Sequence, residues 1–438
     1  MRAAARTRSR SGLLVGARSV GSGVLVAGVF TYLFLSLAGR VLGPVGFAPV
    51  STLWAMVFIV GPGLFIPVQQ ELGRVIAGQR GARGGGHAVR KVALLAGGFG
   101  LATVAGTLAA GGWITRELFA GNAALLWCFE GSVVTYALTF VVRGVFSGLG
   151  DFKDFGRLVA AESAARFVIG ATLTVFGARS ATAFGVAIML APIVSTAAVT
   201  RLGAKVRLAS GTPVSWRNVS QAMGWLVLGS LLAQFLANAG PLAVQLLASS
   251  DQANQAGRFL SALVVARLAL YLFQAVQATL LPNLAELVSQ GRIDDLRRGL
   301  RRLTVVCAVL VVVTTLGALL LGPLAVRLMF GAGFTISGTT MALLAGASAI
   351  YVVAAALSGA AIGSGGHRLS ALAWLAGCLA FLAGTLLVQD LFLRVELGYL
   401  LGSCIAAAVF LVGLPVHLAR HHPPATRVVS GALAPPEL

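Results

Sequence analysis

The chain has 438 residues, 58% of them apolar and only 11% charged, and its net charge is +20. Soluble globular domains carry about 25% charged residues, so this composition excludes an ordinary water-exposed fold for most of the chain. The basic residues cluster between apolar runs, so their number needs no nucleic-acid partner to explain it.

The N-terminal segment 1–18 is basic and ends at Arg18. The apolar run 19–38 is too long for a signal-peptide core, so it reads as a retained first span with Arg18 at its mouth. A second run, 47–69, ends in Gln69, Gln70, Glu71 and Arg74, a solvated helix end. Runs at 92–112 and 123–145 follow, the latter with Glu130 in its outer third. The run 158–178 holds Glu162 and Arg166, spaced for a helical ion pair with the acid first. After 181–200 comes a basic linker, 204–220.

The run 222–247 places Gln234, Asn238, Pro241 and Gln245 on one helical face. Pro241 frees a backbone carbonyl there and can kink the helix. The run 258–281 carries Arg267 deep within it, with Tyr271 and Gln274 on the same face. An amphipathic stretch, DDLRRGLRR, reads as a helix lying on anionic lipid before the run 303–323. Runs at 339–362, 369–389 and 397–418 close the series, and a Pro-rich tail occupies 419–438.

Runs of about 20 apolar residues are long enough to span a bilayer, and irregular backbone cannot face lipid. The expected fold is an all-α integral membrane protein of about 12 spans. Alternate loops hold 25 and 6 Lys and Arg residues, which places both termini in the cytoplasm. Cys128, Cys307, Cys378 and Cys404 lie in apolar runs with no metal-binding spacing and read as small core residues. No nucleotide-binding loop, HExxH or nucleophile elbow is present, so no enzyme activity and no cofactor are expected.

A weak repeat pairs Gly46 with Gly257, Leu72 with Leu284, Phe119 with Phe330 and Gly148 with Gly363. Each copy holds an even number of spans, so both enter the membrane in the same direction. Two pseudo-symmetric six-helix bundles around a central cavity follow, at 19–203 and 221–418, with binding expected between them near the midplane.

The segments RVLGPVGFAPV and LLPNLAELVSQGRIDDLRRGLRR resemble bacterial polysaccharide flippases of the multidrug/oligosaccharidyl-lipid/polysaccharide exporter superfamily. The resemblance implies a flippase that carries a polyprenyl-diphosphate-linked oligosaccharide across the bacterial cytoplasmic membrane by alternating access. Its partners would be that anionic lipid-linked glycan, membrane lipids and, as candidates, glycan-assembly enzymes. A buried arginine is expensive in a bilayer and marks a polar cavity. Arg267, with Arg166, would therefore meet the diphosphate. Gln234, Asn238, Gln245, Tyr271 and Gln274 would meet sugar hydroxyls, and Arg18 a headgroup at the entrance. Glu130 and Glu162 stand as the two intramembrane acids available for ion coupling. Three other readings remain open. They are a cation-coupled multidrug exporter of the same fold, a lipid II flippase, and a non-transporting scaffold for glycan assembly.

Overall fold

The computed structural model describes residues 2–78, 86–202, 223–249, 252–267 and 293–421. Tyr271 and Gln274 lie outside the described residues, as do Leu284 of the repeat and the side chain of Arg18. Within the described residues the chain is helical and contains no strand.

The first element, α1 (Arg2–Gly78), is two spans joined end to end. Gly43 takes φ 66° and ψ 177° and breaks the helix. That left-handed φ favours glycine, and Pro44 starts the second arm where no N–H is needed. Helices α2 (Gly86–Ala109), α3 (Ala123–Leu149), α4 (Phe152–Val175) and α5 (Ala181–Leu202) complete the first lobe. The second lobe holds α6 (Met223–Leu247), α7 (Ala253–Ala266), α8 (Ile293–Phe330), α9 (Gly338–Gly363), α10 (His367–Gly384) and α11 (Leu391–His421). The eighth predicted span begins as α7 and continues into residues that are not described. Ten stretches among the described residues are long and apolar enough to cross a membrane. One of them, Ser19–Gly78, contains both arms of α1.

Local chemistry sets the helix ends. Asn122 caps α3 by accepting from the Ala124 amide at 3.1 Å, and Ser337 caps α9 by accepting from Thr340 at 3.1 Å. Gly150, at φ 75°, closes α3, and Asp151 then caps α4 through the Asp154 amide.

Without a hydrophobic drive between helices in lipid, packing depends on small residues that let backbones approach. Helices α10 and α11 meet through Gly377, Gly384, Gly398 and Gly402. A Cβ at Gly402 would lie 2.7 Å from the Gly377 carbonyl oxygen and 2.8 Å from Leu236. Gly402→Leu is therefore expected to cost about 1–3 kcal/mol through overpacking, read as a lower unfolding temperature in detergent. Gly144 and Gly148 of α3 fit in the same way against the second arm of α1, at Gln69, Leu72 and Ile76. In the first lobe α2 is little buried, and in the second α8 is the least buried span while α9 is the most buried. Exposed leucines and valines along α8, such as Leu320 and Leu321, suit a lipid-facing surface.

The two lobes are pseudo-symmetric halves. Their matched phenylalanines, Phe119 and Phe330, are both buried. The lobes meet along α1, which packs on α6 and α7. At the end of the bundle that carries Gly43, Arg40 donates through Nε to the Met329 carbonyl at 2.7 Å, and through Nη2 to that of Leu328. Phe47 packs on Phe330 and Phe334 at 5.4 and 6.2 Å.

Candidate functional site

A cavity of about 430 Å³ lies between the lobes. It is walled by both arms of α1, by α3 and α4 from the first lobe, and by α6, α7 and α9 from the second. Its size falls within the range of small-molecule sites, about 300–1,000 Å³. Most of its wall is apolar or aromatic, including Trp54, Phe58, Leu260 and Leu263. Among the described residues four charged ones line it: Arg143, Arg166, Arg267 and Glu162.

On the first-lobe side, helical spacing puts Glu162 one turn before Arg166 on α4, and their contact is 2.8 Å. Glu162 also accepts from Arg143 of α3 at 2.5 Å through its other oxygen. The Tyr136 hydroxyl donates to Glu162 at 2.9 Å and accepts from Arg166 at 2.9 Å. The Arg166 side chain is only 1% exposed, its guanidinium 4.9 Å from the Trp54 ring centroid and 5.9 Å from that of Phe58. Stacking of this kind contributes about 0.5–2 kcal/mol and fixes the guanidinium in place. Arg143 lies over Phe140 at 4.9 Å.

On the second-lobe side, Arg267 donates to Asn238 Oδ1 at 3.2 Å. Asn238 is itself oriented by donating to the Gln234 carbonyl at 2.9 Å. Pro241, one turn on, also lines the cavity. Tyr351 of α9 donates to the Ala233 carbonyl at 3.0 Å and completes this wall.

Arg166, Arg267, Gln234 and Asn238 line this one cavity, and Glu162, read from the sequence as an acid available for ion coupling, lines it too. Gln245 is not; it lies on α6 beyond the lining residues, because the lining ends at Pro241 on that helix. Glu130 also stands apart, turned toward α2, where it accepts from Thr107 at 2.6 Å. Its place in the N-terminal third of α3 faces α2 of its own lobe.

Two ionisable residues escaped the sequence reading. The 25 basic loop residues include Arg143 at the end of the run 123–145, but α3 continues to Leu149 and holds Arg143 inside the bundle. Glu396 fell just outside the span placed at 397–418, yet it is 3% exposed within α11. The helix starts earlier, at Leu391, capped by Asp390, which accepts from the Phe392 and Leu393 amides at 3.1 and 2.9 Å. An aspartate before an apolar run was the available signal. Glu130 and Glu162 are therefore not the only acids within spans.

No protein-family profile matches the sequence, and no curated protein matches it. Solved structures do. An inward-facing multidrug resistance MATE family transporter of the MOP superfamily superimposes with a TM-score of 0.69 at 14% identity, over 90% of this chain and 94% of that one. An outward-facing form of such a transporter gives 0.66 at 15% identity, over 93% and 96%. A Vibrio cholerae MATE transporter gives 0.64 at 15% identity, over 93% and 97%. At these identities the likeness is one of fold: the chain is built as MATE transporters of the MOP superfamily are built.

Proposed function

We propose that this protein is a membrane transporter that moves an anionic amphiphile by alternating access through the cavity between its lobes. The observation that carries the reading is the charge of the wall. Among the described lining residues three arginines face one glutamate, a net charge of +2. In a low-dielectric site this favours anions and disfavours cations. The apolar remainder of the wall suits an attached hydrocarbon. Structural neighbours captured inward-facing and outward-facing support rocking of the lobes as the transport movement.

Those neighbours are described as multidrug transporters, which favours an exporter of amphiphiles over a flippase dedicated to lipid-linked oligosaccharides. A lipid-linked glycan remains one cargo with the right charge. The cationic-drug version of the exporter is opposed by the arginines. The excess of basic residues in alternate loops supports a cytoplasmic position for the end carrying Gly150, and counting Arg143 within its helix leaves that excess at 24 against 6. At about 100 mV, inside negative, each negative charge carried outward gains about 2.3 kcal/mol.

The test is transport in reconstituted vesicles. A short-chain anionic phospholipid probe is expected to cross at a rate that Arg267→Ala lowers about tenfold, equivalent to the loss of about 1.4 kcal/mol of binding. A cationic dye is expected not to cross. Dye export together with anion flux indifferent to Arg267→Ala would replace this reading with the cationic exporter.

A further inference from the structure

The two oxygens of Glu162 are held unequally. Oε1 takes two donors from the deepest part of the cluster, Tyr136 at 2.9 Å and Arg166 at 2.8 Å. Oε2 is held by Arg143 at 2.5 Å. The arginines differ in the same sense. The Arg166 side chain is 1% exposed and stacked against two aromatic rings, Trp54 and Phe58, whereas that of Arg143 is 12% exposed and lies over one, Phe140. Arg143 Nε is buried and has no hydrogen-bond partner. Its backbone is fixed, because Gly144 packs against the Gln69 carbonyl of α1.

We propose that Arg143 is a cargo-binding residue that Glu162 occupies until an anionic phosphoryl group takes its place. The inference rests on the anionic-cargo reading above and deepens it. Releasing Arg143 leaves Glu162 with both Oε1 donors, so the carboxylate is never stranded. Releasing Arg166 instead would expose a fully buried cation and break the Tyr136 contact as well. A phosphoryl group offers two or more oxygens where Glu162 offers one, and meets both Nη2 and the unused Nε of Arg143. That fork geometry is the arrangement arginine uses for phosphate. After the exchange Glu162 and Arg166 form a neutral pair. Arg143 and Arg267, one from each lobe, are then left for the two charges of a diphosphate. Glu162 thereby acts as the affinity-setting residue, keeping the empty cavity from binding small anions and weakening cargo enough for release.

The experiment measures binding of a short prenyl diphosphate and of inorganic diphosphate to the full-length protein purified in detergent. Glu162→Gln removes the competing charge and is expected to tighten prenyl diphosphate binding about tenfold. Arg143→Ala is expected to weaken it about tenfold, and in the double variant the gain from Glu162→Gln should vanish. Glu162→Asp, whose shorter side chain cannot reach both arginines, is expected to tighten binding too, and serves if the glutamine variant does not fold. Inorganic diphosphate should follow the same order at weaker affinity; equal affinity for the two would overturn the amphiphile as the source of the phosphoryl group. Binding unchanged in Arg143→Ala and in both Glu162 variants, but lost in Arg267→Ala, would overturn the exchange and leave the anionic cavity standing. Binding indifferent to Arg267→Ala as well would remove the anionic reading itself.

Discussion

Glu162→Leu is expected to destabilise the folded protein by about 3–5 kcal/mol, the usual cost of breaking a buried ion pair from one side. The magnitude follows from what remains. Arg166 and Arg143 would keep their charges with the shared carboxylate gone, and the Tyr136 hydroxyl would lose its acceptor. Stacking against Trp54 and Phe58 returns only part of that loss. Thermal unfolding in detergent measures it, with the expected shift well outside that of a surface substitution. Adding Arg166→Leu should recover much of the stability, since a buried pair replaced by apolar residues is often neutral. A loss below about 1 kcal/mol for Glu162→Leu alone would show that water reaches the arginines and screens them.

Gly257→Leu is expected to do comparable damage by a steric route. Gly257 lies where α7 crosses the start of the second arm of α1. A Cβ there would stand 1.9 Å from the Pro44 carbonyl oxygen and 2.4 Å from its carbon. Both atoms are backbone and cannot rotate away, so the helices must separate. Overpacking typically costs about 1–3 kcal/mol, and so close a contact with the Pro44 backbone places this site at the upper end. The crossing joins the lobes at the end where Arg40 binds the Leu328 and Met329 carbonyls. Separation there should raise thiol labelling of a cysteine introduced at Phe334, which is now 2% exposed. Unchanged labelling and unchanged stability would mean that the crossing yields without opening the lobes.

The two substitutions mark different limits of the sequence. The apolar runs, their number and their even division into two lobes were legible, because the length of a span and the absence of water in lipid leave few other solutions. Arg166 and Arg267 stood out because a cation inside an apolar run is costly. The α6 stripe was legible to Pro241 but not beyond it, since helical periodicity gives a face and not where a cavity ends. Gly257 was matched with Gly46 by spacing alone, and nothing local to either glycine says that one of them touches Pro44.

By itself, then, the sequence determined the medium, the helical class, the division into two lobes and two of the cavity arginines, all of which follow from hydrophobic length and the cost of charge. Only the tertiary structure decided that Arg143 belongs inside the bundle, that Glu162 serves two arginines from adjacent helices, and that Glu130 is turned away toward α2. Those facts depend on how far each helix runs and how its neighbours rotate against it. Small-residue packing between helices far apart in the chain fixes both.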